Sequence, residues 1–443
     1  MADLNEMLVA WTGEIDSFMY TYILVILLVF VGIYYTIRTK AVQIRYIKDM
    51  FTQLTEKKHV QGEKSISSFQ ALMVSTASRV GTGNIAGIAT AVATGGPGAI
   101  FWMWLMALIG AASAFIESTL AQIYKIRGKE GEFRGGPAYY IQQGLGQRWL
   151  GIIFAWALIL CFAFGFNGLQ AFNMTSALEY YIPDYATNGT AVGVGIVLIV
   201  FTAFVIFGGA KRISIITSII VPIMAIAYIL IALWTTIANI GELPAVFGTI
   251  FQSAFNFQSI AGGFAGSVVM LGIKRGLFSN EAGMGSTPHA HALAKVNHPR
   301  EQGAVAILGV FIDTFVVLTL TGLVLITSGL IPDGLTGTAL TQAAFSQAFG
   351  GFGPVFIAIC MFFFAFSTII GWYFFGQSNF KALFGEKALP VYSVIVVVFI
   401  LVGSTLKVDL VWAMADFFNG LMAVPNLLAL LALSGVVAAI DKE

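Results

Sequence analysis

Residues 190–207 read TAVGVGIVLIVFTAFVIF, without a single charge, and runs of this kind recur along the whole chain. A helix needs about 20 mostly apolar residues to cross the hydrocarbon core of a bilayer. Eleven segments meet that need, near 19–38, 67–94, 97–124, 150–180, 190–208, 213–237, 260–288, 303–330, 352–378, 389–405 and 409–436. Those beginning at 150 and 260 are long enough to be tilted, broken or extended beyond the bilayer. Of the 443 residues, 58% are hydrophobic and 10% charged, against roughly a quarter charged in an ordinary soluble domain. No soluble core of this size could bury so much apolar surface, so the chain reads as an all-α polytopic membrane protein. Its expected surroundings are the lipid bilayer. A net charge of +1 gives no reason to expect nucleic acid, and no obligatory protein partner is evident. The N-terminal MADLNEM has neither a basic leader nor a small-residue cleavage site, so no cleaved signal peptide is expected. Cys161 and Cys360 each lie in an apolar run and read as small buried hydrophobes.

Lysine and arginine set the orientation. If eleven spans alternate, 19 of the basic residues fall on one side, in the loops 38–64 and 125–149, at Lys211, Arg212, Lys295, Arg300, Lys381 and Lys387, and at Lys442. The other side receives Lys407 alone, and Arg79, Lys274 and Arg275 lie within spans. A wrong span count would scramble this partition. The split therefore supports a cell-membrane protein with its N-terminus outside and its C-terminus in the cytoplasm. The segment VQIRYIKDMFTQL, within 40–60, mixes apolar and basic residues. It fits an amphipathic helix in the cytoplasmic interface and equally an ordinary solvated loop.

The stretch STASRVGTGNIAG (75–87) places Arg79, Asn84 and three glycines in the middle of a span-length segment. A partner lies 196 residues on: Arg, Asn, Ala and Gly of Arg79-Val-Gly-Thr-Gly-Asn84-Ile-Ala86-Gly87 recur at matching offsets in Arg275-Gly-Leu-Phe-Ser-Asn280-Glu-Ala282-Gly283. Five spans separate one copy's start from the other's, and an odd number inverts the direction of the second. The arrangement is that of an inverted repeat, 67–237 and 260–436, preceded by an extra helix and a cytoplasmic loop in 1–66. Paired glycine-interrupted spans in two halves point to a transporter binding site. A broken helix exposes N–H groups at one half-helix start and carbonyls at the other half-helix end. In lipid these must be satisfied. A substrate carboxylate can take the N–H groups and a cation the carbonyls. A lone glycine-rich span would read as tight helix packing; the second copy favours the site.

The run STASRVGTGNIAGIATAVATGGPGAIFWMWLMALIGAASAFIEST (75–119), with GLFSNEAGMGSTPHAHA (276–292) and GWYFFGQ (371–377), resembles the alanine or glycine:cation symporter family, which is similar in fold to LeuT-type transporters. The likeness runs over nearly the whole chain. It implies a LeuT-type five-plus-five inverted repeat with one extra N-terminal helix, eleven transmembrane helices in all. It also implies uptake of small amino acids coupled to Na⁺ as the co-transported ion. Carried over residue by residue, Val80–Asn84 resembles the unwound first core helix of such transporters. The backbone amides of Thr82 and Gly83 would then hold the substrate carboxylate beside Asn84, with Ile273 and Gly276 contributed by the second broken helix. The carbonyls of Ala77, Val80 and Phe364 and the hydroxyls of Ser367 and Thr368 would face sodium. Hard cations do want oxygen ligands, and Ser367-Thr368 is the only hydroxyl pair in FFFAFSTIIGW. The same pair could instead bond back to its own helix. Arg79 departs from many LeuT-type relatives, and its guanidinium competes for the space of a second sodium ion.

Other polar groups lie at membrane depth. Gln170 and Asn173, three apart in NGLQAFNMTS, share one helical face and could bond a substrate's ammonium or carboxylate, or another helix. Trp372 follows the Ser-Thr pair by one turn and could limit side-chain size, or simply pack. Charges in spans are expensive and should face the interior. Arg79, Lys274 and Arg275 nearly balance Glu117, Glu281, Asp313 and Asp416, which suggests structural pairing, gates or a proton-sensitive step. Asp313, in FIDTFVV, is the most isolated acid and the one best suited to an ion-linked role. His289, His291 and His298 are expected at a solvated cytoplasmic helix end.

Three functions compete. A secondary transporter of alanine, glycine or a similar amino acid, driven by Na⁺ or alternatively by protons, fits the repeat. No glycine loop followed by Lys-Ser/Thr provides for nucleotide energy. A channel would want a pore-lining polar stripe or a filter loop, and neither is found. A membrane-embedded enzyme would want a catalytic constellation, whereas the acids in the spans are scattered and no His lies deep beside them.

Overall fold

The computed structural model describes residues 2–55, 65–128, 132–256 and 267–440. Lys57, Lys58, Lys64, Lys129 and Lys442, residues 56–60 of the basic loop and residues 260–266 of the seventh predicted span lie outside them. The described chain is almost entirely helical, with one short antiparallel hairpin, β1 (Ile126–Arg127) against β2 (Phe133–Arg134). In chain order the helices are α1 (2–38, with a π turn at Tyr20–Leu24), α2 (Ile47–Thr55), α3 (Ser68–Arg79), α4 (Ala86–Gly95) and α5 (Ala99–Ile123). Then follow α6 (Pro137–Gly144), α7 (Arg148–Ser176), α8 (Thr190–Ile206), α9 (Gly209–Ala238), α10 (Leu243–Ala254), α11 (Val268–Asn280) and α12 (Pro288–Leu293). The last are α13 (Pro299–Thr327), α14 (Gly337–Phe349), α15 (Phe352–Phe384), α16 (Glu386–Ser404) and α17 (Val408–Ala432).

Eight of these helices are long and apolar enough to cross a membrane: α1, α5, α7, α9, α13, α15, α16 and α17. The other three predicted spans differ for distinct reasons. α8 is apolar but holds 17 residues. The segments 67–94 and 260–288 are broken, as their glycines predict, into α3–α4 and α11–α12. The surface is inverted relative to a soluble protein. Ile219, Ile223, Ile226 and Leu230 form an exposed stripe along α9 at helical spacing, as lipid-facing residues would. Polar residues such as Gln170, Asn173, Thr368 and Asp313 are buried.

The two broken segments sit at the centre. α3 packs against α9 and α15, α11 against α4 and α5, and α13 lies along α5. α1 packs on α17 and, through its second half, on α5. The segment VQIRYIKDMFTQL is helical over Ile47–Thr55; α2 lies on α13 and keeps Ile47 and Phe51 exposed. Cys161 and Cys360 are free and buried.

Candidate functional site

α3 begins at a capping box, Ser67 accepting from the Gln70 amide while the Gln70 side chain accepts from the Ser67 amide. It ends at Arg79, and Val80 leaves helical geometry at φ −78°, ψ 81°. Two close approaches explain why glycines follow. A Cβ on Gly81 would lie 2.4 Å from Thr368 Oγ1, and one on Gly83 would lie 2.8 Å from the Phe278 ring. Asn84 stitches the break by accepting from the Gly81 amide at 3.0 Å, and Thr82–Asn84 form one 3₁₀ turn before α4.

The second break falls later than the motif alignment suggests. Leu277, Phe278 and Ser279 stand where the first copy has Gly81, Thr82 and Gly83, so α11 continues to Asn280. The helix gives way only at Glu281, Gly283 and Gly285, at φ +55°, +84° and +86°. Glu117 of α5 accepts from the freed Gly283 and Gly285 amides, at 3.4 and 3.1 Å, and from Asn426 of α17 at 3.0 Å. A buried carboxylate here takes the place that helix hydrogen bonds fill elsewhere.

Around the first break the structure joins residues far apart in sequence. Thr368 donates to the Ala77 carbonyl at 2.8 Å, bridging α15 to α3. Ser367 instead donates back to its own Phe364 carbonyl at 3.1 Å, and its hydroxyl lies 3.4 Å from Met224 Sδ of α9. Gln170 and Asn173 reach Thr82 from one face of α7: Gln170 Oε1 accepts from the Thr82 amide at 3.3 Å, and Asn173 Nδ2 donates to Thr82 Oγ1 at 2.9 Å. Asn84 Nδ2 donates to Asp313 at 2.7 Å. Ser279 lies 3.0 Å from both Asp313 oxygens, and Thr314 donates to one at 2.9 Å. Asp313 is thus a fully buried carboxylate among neutral donors.

Trp372 is buried in an aromatic wall, its ring centroid 4.7 Å from Phe166, 5.6 Å from Phe162 and 6.1 Å from Phe278. Ile273 is buried on α11. A Cβ on Gly276 would meet Met103 of α5 at 3.5 Å. Phe278, Phe166 and Met224 join the site without having stood out in the sequence. Phe278 carries a signal, lying inside the repeated motif; Phe166 and Met224 sit in apolar runs without one.

The charges pair only in part. Arg275 holds Asp416 through two 2.9 Å bonds, and Lys274 holds Asp16 of α1 at 2.5 Å. Arg79 bonds no carboxylate directly, donating instead to the Asn280 carbonyl at 2.7 Å and to Thr287 at 3.0 Å among the described residues. A Cβ on Gly309 would lie 2.2 Å from this guanidinium, so α13 makes room for it with a glycine. The histidines correct the expectation of a solvated helix end. His289 and His291 are fully buried, His289 between the Ser286 carbonyl at 2.7 Å and Asn379 at 2.8 Å, His291 beside Gln302 at 2.9 Å. The short α12 packs on α3 and α5, which removes it from water.

The fold is shared with MhsT, a LeuT-type transporter whose crystal structure contains L-phenylalanine, at a TM-score of 0.61, 15% identity, and coverage of 84% of this chain and 90% of that one. The amino-acid carrier protein AlsT of Bacillus subtilis is 47% identical over 97% of this chain and 90% of its own. The probable sodium/glutamine symporter GlnT of the same organism is 44% identical over 99% and 91%. The sequence profile of the sodium:alanine symporter family matches residues 5–443. The chain thus belongs to the sodium:alanine symporter family and is a multi-pass membrane transporter rather than an enzyme.

Proposed function

We propose that the protein is a Na⁺-coupled symporter that carries small neutral amino acids, alanine and glycine foremost, into the cell by alternating access. The observation that supports this most is the junction at Gly81, where Thr368 of α15 meets the Ala77 carbonyl beside the break that also presents the Thr82 amide to Gln170. Na⁺ is a hard cation and takes oxygen ligands. The carbonyls of Ala77, Val80 and Phe364 and the hydroxyls of Ser367 and Thr368 form its site in this reading. An ion held there ties α3 to α15 and favours the state that accepts substrate. The substrate carboxylate takes the Thr82 and Gly83 amides, displacing Gln170 Oε1 and leaving the Gln170 amide free to donate to it. Asn84 and Asn173 hold the loop in shape, Ile273 and Trp372 bound the side chain, and Gly276 lets α11 sit close to α5.

In this reading the membrane is crossed eleven times. Residues 1–66 supply an extra helix and a cytoplasmic segment, and 67–237 and 260–436 are inverted repeats. The N-terminus is outside and the C-terminus cytoplasmic.

The test is uptake of labelled alanine into proteoliposomes under an imposed Na⁺ gradient, with K⁺ replacing Na⁺ as the control. Accumulation is expected to need Na⁺, to be competed by glycine more strongly than by glutamine, and to be lost in a Ser367→Ala, Thr368→Ala double variant. Strong competition by glutamine would move the substrate toward the one in GlnT's name. Asp313 supports a second reading, since a buried carboxylate ringed by Asn84, Ser279 and Thr314 can take up a proton as readily as attract a cation. Uptake that ignores Na⁺, follows a pH gradient and disappears in Asp313→Asn would establish proton coupling.

A further inference from the structure

Glu281 occupies a conformation that its residue type does not favour. It stands at the C-terminus of α11 with φ +55°, a left-handed position that glycine normally fills. Such an outlier persists where its surroundings require the side chain. The Glu281 carboxylate is fully buried and shared by three elements. Oε1 accepts from the Trp372 indole N–H at 2.7 Å. Oε2 accepts from Ser78 of α3 at 3.1 Å and from Ser286 in the second break at 2.5 Å.

These contacts close a circuit. Ser78 follows Ala77, whose carbonyl accepts from Thr368. Thr368 and Trp372 are four apart on α15, so they lie one above the other on one face. α3 is therefore fastened to α15 twice, directly at Thr368 and through Glu281 at Trp372. Gly371 permits the approach: a Cβ there would lie 3.1 Å from the Ser78 amide. Any shift of Ala77 and Thr368 toward a cation is passed to the indole through one carboxylate.

We infer that Glu281 is a positioning residue, whose carboxylate fixes Trp372 as the wall that limits substrate size and couples that wall to the cation junction. The inference rests on the symporter reading above and deepens it. With Glu281 in place the indole is pinned at its N–H while Phe162, Phe166 and Phe278 hold its faces. Without it the ring is held by packing alone and can turn, and the pocket accepts longer side chains.

The experiment compares wild type with E281G, E281Q and W372F in proteoliposomes. KM and maximal rate are measured for alanine and for leucine, at several Na⁺ concentrations. E281G removes the carboxylate while relieving the backbone, so it is the variant best placed to fold. E281Q keeps an oxygen acceptor for the indole. W372F keeps a ring and removes the N–H donor. E281G and W372F are expected to raise the KM for alanine about tenfold, the effect of one lost buried hydrogen bond, and to shift the leucine-to-alanine ratio of rate over KM toward leucine. Both are expected to weaken the dependence of alanine KM on Na⁺, and E281Q to restore most of each effect. The E281G/W372F double variant should shift the ratio no further than either single one. Equal losses of rate for both amino acids with the KM ratio unchanged would show a merely structural carboxylate and overturn the inference. A wild type that moves no neutral amino acid would overturn the symporter reading and this inference together, and so is distinct from the first failure.

Discussion

At Gly81 an added Cβ would lie 2.4 Å from Thr368 Oγ1, whereas at Gly87 it would lie 3.5 Å from Trp412, an ordinary contact. The two positions are six residues apart and chemically identical, so they make a controlled pair. Gly81→Ala must displace the Thr368 hydroxyl, by turning that side chain or moving α15, and so disturb the Thr368–Ala77 bond. We expect it to raise the Na⁺ concentration for half-maximal alanine uptake by about tenfold or more, since every 1.4 kcal/mol of lost affinity is tenfold. Gly87→Ala is expected to stay within about twofold of wild type, because the new methyl meets only van der Waals contact. Equal behaviour of the two variants in a Na⁺ titration would remove the junction from the ion site. At this scale much is legible in the sequence. Glycines, an arginine and an asparagine inside an apolar run weaken a helix and ask for buried partners, and the first break falls where they stand. Which side chains meet across the break is not legible. Asn84 and Asp313 are 229 positions apart, and nothing local to either announces the other. Glu281 carries a faint signal, a charged residue at a helix end followed closely by two glycines, but its left-handed backbone is a property of the folded chain.

Helix α11 shows how an element can be anticipated while its connections are not. The repeat predicts its break, yet the break comes after Asn280 because the second copy has Leu, Phe and Ser where the first has Gly, Thr and Gly. The cost of buried charge predicts acids for its two basic residues. The partners are Asp416 of α17 and, for Lys274, Asp16 of α1. Asp16 lies in a part of α1 that hydropathy places outside the first span. Arg275 also lies over the Trp412 ring, 3.8 Å from its centroid, and Lys274 over Tyr20 at 4.4 Å. The cluster joins the extra helix to the second broken helix with opposite charges in equal number. Removing one member of a buried pair costs about 3–5 kcal/mol, because the other is left buried and alone, whereas replacing both by apolar residues is often neutral. Asp416→Asn is therefore expected to lower the thermal midpoint of the purified protein by several degrees. Arg275→Met with Asp416→Leu should recover most of that loss. If the double variant is no more stable than Asp416→Asn, the pair contributes through geometry that apolar residues cannot replace.

For the whole molecule, the strongest sequence signal is one-sided. Nineteen basic residues against Lys407 is the partition that eleven alternating spans would give. Helix length by itself is a weaker guide, since α8 is short and two segments are broken. The charge partition and the helix order make a joint prediction about accessibility. Asn188, in the turn before α8, and Gln142, on the short helix α6 after the hairpin, are both exposed. The charge rule puts the first outside the cell and the second inside. Both native cysteines are buried and free, so they contribute little background to thiol labelling. Asn188→Cys is expected to react with a membrane-impermeant maleimide in intact cells. Gln142→Cys should react only once the membrane is opened. An odd error in the number of crossings between these two sites would put them on the same side, and both would label alike. An inverted orientation would exchange their behaviour. Since α7 alone separates them, the comparison reads one crossing directly, and with it the orientation of the chain in the membrane.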